Sequence, residues 1–277
     1  MRSIFQNEEH EKHFQKYGFV KIPFFDTAEI IALTKLCKEL NGNFDTPFTT
    51  TIWSQNETYR KAVYTELKKI YLPAVQKVFA NCQLVMGTIL TKHTGEKSEI
   101  DIHQDWAFTN EELYPAVNIW VPLTDVNVEN GALYFLPFSQ QFQVPYRGRH
   151  ITPQFTAVKD AIWKLGEVCT ANAGEAIIFN VKMVHYSNPN KTPKSRTAVS
   201  MVAIPEEADI LHYINYKPAE NIITEMKVDE FFYNNYSHND TIPKSVDAKE
   251  FEFERKQLDH ETFMKEYEVL CITATNL

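Results

Sequence analysis

Apolar residues recur at helical spacing early in the chain and at strand spacing later. Glu8–Tyr17 reads as a short helix, followed by an extended Phe19–Pro23. Asp26 or Thr27 is placed to cap a helix running through Leu40. Ile30, Ile31, Leu33, Leu36, Cys37 and Leu40 fall near helical spacing along it. Residues 44–56 are polar, Thr-rich and without period, which predicts a loop. Residues 58–79 predict a second helix, with Pro73 as a candidate bend and Val63, Leu67, Ile70 and Tyr71 marking one face. From Gln83 onward the pattern shortens. Runs rich in β-branched and aromatic residues occupy 84–90, 117–123, 132–136, 176–181 and 197–204, with turn signals at 94–96, 129–131, 172–174 and 188–193 between them. Helices first and many short strands after predict a mainly β fold with flanking helices, a sandwich or jelly roll. From Glu225 the pattern turns mixed and helical.

With 277 residues the chain suits one large domain or two small ones. Repeats and low-complexity tracts are absent, and the 8 glycines leave no flexible linker, which favours one domain over 1–277. Its expected parts are a helical N-terminal part to about residue 82, a core over about 83–206 and a mixed C-terminal extension. Hydrophobic content of 44% suffices for a sizeable core. A formal charge of −8 sets nucleic acid aside as a partner. Residues 1–15 are charged and lack an apolar signal core, and no run approaches membrane-spanning length. Cys37, Cys82, Cys169 and Cys271 are scattered without a CxxC pair. These features lead us to expect a cytoplasmic chain with reduced thiols and no membrane partner.

The chemistry concentrates in His103-Gln104-Asp105 and His185. Two imidazoles and one carboxylate bind one face of an octahedral Fe(II) and leave the other positions open. If His103 and Asp105 share a strand, alternation points both to one face and Gln104 away. The third ligand must then come from elsewhere. His185 follows the turn and apolar strand of residues 174–180, where such a ligand would sit. The other histidines, His10, His13, His93, His150, His212, His238 and His260, lack this context. Zinc is the competing metal, although no Glu or His stands out as the general base of a hydrolase. Arg196 lies on the next predicted strand, where a guanidinium suits the far carboxylate of a dicarboxylate.

Together these residues resemble the phytanoyl-CoA dioxygenase (PhyH-like) family of Fe(II)/2-oxoglutarate-dependent oxygenases. The resemblance spans most of the chain. It rests on residues 17–25, on His103-Gln104-Asp105-Trp106, on Trp120-Val121-Pro122-Leu123-Thr124-Asp125, on Glu129-Asn130-Gly131-Ala132-Leu133, on Gly174-Glu175-Ala176, on His185-Tyr186-Ser187 and on Arg196. It implies a double-stranded β-helix (jelly roll, cupin-like) with His103, Asp105 and His185 as metal ligands at its mouth. It further implies 2-oxoglutarate as cosubstrate, chelated to the iron and anchored by Arg196 with help from Ser187, and dioxygen as the oxidant. Asn118 and Trp120 match further cosubstrate contacts, and Thr91 matches more loosely a contact to the carboxylate nearer the metal. One departure stands out. The family usually reads Pro-Gly-Ser-His where this chain reads Pro137-Phe138-Ser139-Gln140. Phe takes a positive φ with difficulty, so a turn built differently is expected there.

The implied activity is a dioxygenase that hydroxylates an unactivated C–H. Related halogenases replace the ligand carboxylate with a small residue, so Asp105 argues for hydroxylation over halogenation. Desaturation and ring formation depend on substrate placement and stay open. We expect a small amino-acid-like or natural-product substrate. Arg147 and Arg149, in a local basic run, are candidates for a substrate carboxylate or phosphate, or else belong to a solvated loop. Trp106 is a further candidate contact. Residues 44–53 form either a lid or plain surface. The alternative function is a non-catalytic ligand-binding protein on the same fold, against which the intact set of triad and Arg196 counts.

Overall fold

Asn7 starts α1 (Glu8–Tyr17) by accepting from the backbone N–H groups of Glu9 and His10, and Gly18 ends it at φ 80°. The structure, a computed structural model, describes residues 2–40, 46–218, 220–245, 247–255 and 257–275. After β1 (Phe19–Pro23), Asp26 caps α2 (Thr27–Glu39). Its carboxylate accepts from the Glu29 N–H while the Glu29 carboxylate accepts from its own, each at 2.9 Å. The stretch expected to be a loop instead carries β2 (Phe48–Thr50) and a 3-10 turn (Thr51–Trp53) before α3 (Glu57–Val78). Residues 44 and 45 lie outside the described residues. Periodicity could not reveal β2, because all three of its residues are buried.

The strand region runs β3 (Cys82–Lys92), β4 (Ile100–His103), β5 (Val117–Pro122) and β6 (Leu133–Phe135). Then come α4 (Lys159–Leu165), β7 (Glu167–Cys169), β8 (Glu175–Asn180), β9 (His185–Ser187) and β10 (Arg196–Pro205). These strands form two antiparallel sheets, a six-stranded one in the order β1-β8-β5-β10-β3-β2 and a four-stranded one in the order β4-β9-β6-β7. The interleaved order is that of a jelly roll, a double-stranded β-helix. β1 and β2 come from the N-terminal part, so that part also supplies both edges of the larger sheet. The C-terminal part, expected to be mixed and helical from Glu225, carries strands as well as helices. It holds β11 (Leu211–Ile214), β12 (Ile222–Lys227), α5 (Phe232–Asn235), β13 (Lys249–Glu252) and α6 (His260–Thr275), with the three strands in a small sheet of their own. Among the described residues no helix is long and apolar enough to cross a membrane.

Alternation gives the six-stranded sheet two different faces. Val117, Ile119 and Val121 of β5, with Val199 and Met201 of β10, pack beneath Leu33 of α2 and Val63, Leu67 and Tyr71 of α3. The residues between them face the second sheet, and the site lies there. The turns expected at Gly95, Gly131 and Gly174 all use positive φ. Phe138 also adopts the left-handed region, at φ 61°, against the expectation that a phenylalanine would avoid it. The neighbouring Ser139 fixes that turn by accepting from the Val184 N–H at 2.8 Å, and the Phe138 ring lies against Tyr17.

On β11, His212 is fully buried among Trp106, Phe232 and Tyr233, and neither ring nitrogen has a protein partner. Burial, then the Arg149 charge, push its pKa from 6.5 to about 3. The folded state therefore refuses a proton that the unfolded state takes up. Stability from the neutral ring is complete above pH 6.5 and is lost as pH falls toward 3. His212→Phe should flatten part of the fall in melting temperature of the metal-free protein below pH 6.5. It should also raise stability at pH 7 by about 1 kcal/mol, by removing unpaired polar atoms. Thermal melts between pH 4 and 7 check this, and an unchanged slope would refute it.

Candidate metal centre and cosubstrate cavity

The antiparallel pairing of β4 with β9 sets His103 directly opposite His185. Their ring centroids are 4.2 Å apart. β4 ends at His103, so Asp105 stands beyond the strand, and strand alternation is not what turns it toward the histidines. Other contacts hold it. Arg147 donates from Nε to the Asp105 carbonyl at 2.8 Å, and Gln104 is tied by its amide to the Lys182 carbonyl at 2.6 Å. Oδ1 of Asp105 lies 3.9 Å from Nε2 of each histidine. One ligand atom from each of the three residues falls within 4.8 Å of the others, and no other such donor group occurs among the described residues. Small side-chain rotations bring that spread to the roughly 3 Å between neighbouring ligand atoms of a six-coordinate ion bound at about 2.1 Å.

The donor chemistry fits a metal. Nδ1 of His103 hydrogen-bonds the Asp101 carbonyl at 2.8 Å, and Nδ1 of His185 the Met183 carbonyl at 3.0 Å. A carbonyl only accepts, so both rings carry a proton on Nδ1 and turn Nε2 to the site. Burial, then His103, push the His185 pKa down to about 4, against the opposing pull of Asp105. The ring is neutral at pH 7, the form that coordinates. Asn118 donates from Nδ2 to Oδ2 of Asp105 at 2.8 Å and leaves Oδ1 free. The Ser200 hydroxyl donates to Oδ1 of Asn118. This chain fixes the amide's orientation, because a carboxylate offers only acceptors.

A cavity of about 460 Å³ opens on these residues between the two sheets. Arg196, 3% exposed, lies in its wall. Its Nη2 donates to the Gly131 carbonyl at 2.6 Å, and its guanidinium stacks 5.2 Å from the Trp120 ring centre. Burial pushes its pKa down to about 9, and among the described residues no carboxylate acts on it. Lys92, its register partner on β3, is also buried and donates to the carbonyls of Ser98, Ser187 and Asn188. Burial, then Arg196, lower its pKa to about 7. Asn118, Trp120 and Ser187 also line this cavity. Thr91 does not, because it follows the opposite parity on β3 and pairs with the Thr197 hydroxyl at 3.1 Å. Thr88, Leu90 and Lys92 hold the inner positions of that strand.

Trp106 borders the cavity, and the His238 ring stacks on it at 5.4 Å. Arg147 is committed elsewhere. It grips Glu111 through both Nη atoms at 2.7 and 2.6 Å, so it positions Asp105 and has no free fork for a ligand. Arg149 donates to the Ser237 and Asp240 carbonyls. Phe48, Ile52 and Trp53, from the segment considered as a lid, form part of the cavity wall. Sequence reading missed Lys92, Ser200 and His238. Even spacing from Arg196 along one strand was a usable signal for Ser200, whereas His238 carried none.

The family model described as Phytanoyl-CoA dioxygenase (PhyH) matches residues 14–198. The phytanoyl-CoA dioxygenase domain-containing protein 1 homolog of Dictyostelium discoideum is 25% identical over 264 residues, covering 74% of this chain and 93% of the relative. Phytanoyl-CoA dioxygenase domain-containing protein 1 of Danio rerio is 28% identical over 137 residues, 45% of this chain and 47% of the relative. Among solved structures, the non-heme alpha-ketoglutarate-dependent carbocyclase SnoK from nogalamycin biosynthesis superposes with a TM-score of 0.53 at 20% identity, over 74% of this chain and 86% of that one. HygX from Streptomyces hygroscopicus, with nickel, 2-oxoglutarate and hygromycin B bound, gives 0.55 at 15% identity, over 73% and 88%. The epimerase SnoN, in complex with Fe3+, alpha-ketoglutarate and nogalamycin RO, gives 0.52 at 21% identity, over 73% and 85%. At these identities the structural likeness is one of fold.

The hydrogen-bond chain through Asn118 yields a prediction. Asn118→Ala should weaken binding of Mn(II), used as a redox-stable probe, by about 10–100-fold, the usual effect of losing a partner that orients a ligand. Ser200→Ala should weaken it less, since Asn118 keeps its bond to Asp105. Metal titration of the folded variants checks this, and wild-type affinity in Asn118→Ala would refute it.

Proposed function

The chain belongs to the phytanoyl-CoA dioxygenase (PhyH) family, and from that premise we propose an Fe(II)/2-oxoglutarate-dependent dioxygenase using His103, Asp105 and His185 as ligands. One observation carries the reading. A fully buried guanidinium with no carboxylate partner among the described residues shares a cavity with an open set of two imidazoles and one carboxylate. Burying an unpaired cation is costly unless a ligand supplies the counter-charge. A dicarboxylate reaching from the metal to Arg196 would supply it.

When bound, iron and 2-oxoglutarate supply an oxidant made from dioxygen, with release of carbon dioxide and succinate. The chain's own residues do the rest. His103 and His185 present their Nε2 atoms, each ring held from behind by a carbonyl at Nδ1. Asp105 presents one oxygen while Asn118 occupies the other. Arg196 and the Ser187 hydroxyl take the distal carboxylate. Lys92 fixes the backbone of Ser187 and Asn188, and so acts as a positioning residue. Trp120 lies beneath Arg196 and Phe179 against His185, which keeps the inner wall dry.

We further infer hydroxylation of a C–H on a small organic substrate. Asp105 fills the position a halide would need, and Ile52, Met86, Phe108 and Leu133 give the cavity an apolar lining suited to a carbon skeleton. We take residues 1–277 as a single oxygenase domain with a C-terminal extension. Fold relatives named as a carbocyclase and an epimerase mark how far outcomes diverge on this scaffold.

The test is succinate formation from 2-oxoglutarate after anaerobic iron loading and admission of oxygen. Wild type should turn over slowly without its substrate. His103→Ala should lose turnover. Arg196→Ala should raise the 2-oxoglutarate KM by about 10–100-fold, the value of a charge-assisted pair. Iron and 2-oxoglutarate that fail to bind the folded wild type would overturn the proposal.

A further inference from the structure

A second cavity, of about 340 Å³, adjoins the first along Ile102, His103, Gln104, Trp106 and His238. Its remaining wall is basic. Arg147, Arg149, Lys159 and Arg255 line it together with His150, and no Asp or Glu does. The overall charge of the chain is −8, so this concentration runs against the composition.

Two of the four cations are neutralised nearby. Arg147 grips Glu111, and Lys159 pairs with Asp101. Arg149 is neutralised only in part, and Arg255 not at all among the described residues. Arg255 donates to the carbonyls of Pro145, Tyr146 and Thr152, and among the described residues the charge that acts on it is the repulsive Arg147. Arg149 donates to the Ser237 and Asp240 carbonyls, and the Asp240 carboxylate near it is shared with Arg60 at 3.5 Å. Nε of Arg149 and of Arg255 has no partner. Both guanidiniums are held by neutral carbonyls and line the cavity, so their charge is felt there.

The loop that carries Arg149 is strained. Tyr146 and His150, on either side of Arg147-Gly148-Arg149, have φ of 58° and 59°. A Cβ at Gly148 would lie 1.9 Å from the Tyr213 carbonyl oxygen. Strain of this kind persists only where surrounding contacts enforce it, and it clusters at ligand sites.

We propose that this cavity seats the anionic end group of the substrate, a carboxylate or a phosphate, while the apolar part of the molecule crosses the Trp106–His238 stack into the first cavity. The substrate class is thus a singly headed amphiphile, a carbon skeleton with one anionic terminus. Lys159 and His150 stand at the cavity wall as donors, and Arg149 and Arg255 supply the field. The inference rests on the oxygenase reading for the fate of the skeleton, but the anion site stands independently of metal and cosubstrate.

The test is calorimetric titration of the metal-free chain with inorganic phosphate and with acetate, then with octyl phosphate, octanoate and neutral octanol. An anion should bind, and the better anionic octyl ligand should exceed octanol by about tenfold, the range of a charge-assisted contact. Octyl phosphate ahead of octanoate assigns a phosphate head, and the reverse assigns a carboxylate. Arg255→Gln and Lys159→Gln should each erase most of that advantage, whereas Arg196→Ala should keep it. Lys159 is one-third exposed, so its variant remains informative if Arg255→Gln misfolds. Octanol binding as tightly as the anions would overturn the proposal. So would anion binding that is lost in Arg196→Ala and kept in Lys159→Gln. Failure of iron-dependent succinate formation would leave these titrations unchanged and would count against the oxygenase reading alone.

Discussion

In the antiparallel register of β4 on β9, His103 stands opposite His185, and the centre is built outward from that pair. Each imidazole leans on a carbonyl two residues back in its own chain. Backbone geometry therefore sets ring orientation and tautomer together. Phe135 of β6 stands opposite His185 on the other side, and Phe179 of β8 meets its ring from the second sheet. A slip of one residue would turn His185 outward and dissolve the donor set. Asp105 is held by a separate device, the Arg147–Glu111 pair behind it and the Asn118–Ser200 chain beside it.

The six-stranded sheet carries stability and chemistry on opposite faces of the same strands. On β5, Val117, Ile119 and Val121 meet the helices, while Asn118 and Trp120 face the cavity. On β10, Val199 and Met201 meet them, while Arg196 and Ser200 face inward. Burying Arg196 and Lys92 works against folding by several kcal/mol per ion. The helix-backed apolar face makes that tolerable, and carbonyl partners soften it for Lys92.

Much of this was legible from the residues. The five strand runs, the cap of the second helix, the donor triad and Arg196 depend on local pattern and on motif spacing. Failures have physical reasons. Asp105 lies past the end of its strand, so alternation described it poorly. Thr91 has the wrong parity for the cavity, and its neighbours Leu90 and Lys92 have the right one. Arg147 looked free because its partner Glu111 is brought to it only by the fold. β11 lies outside the predicted strand runs, and with β12 and β13 it forms a small sheet that extends into a tail whose pattern looked mixed and helical from Glu225. His238 reaches the site because its own N–H donates to the Ile52 carbonyl and because Arg60 and Arg149 hold the carbonyls of Asn234, Ser237 and Asp240, contacts no local signal announces.

β10 is the last strand of the larger sheet to be synthesised, yet it lies between β3 and β5, hydrogen-bonded to both. Until residue 205 has left the ribosome, β3 and β5 have no central partner, and each presents an open edge. The sheet therefore closes by late insertion at its middle, a slow, long-range step of the kind that limits folding rate. Arg196 enters the cavity with that same strand, so the nascent chain can bring both histidines together before the cavity's buried guanidinium has arrived. Expression at low temperature or with chaperones that shield strand edges should accordingly govern how much active protein a cell accumulates.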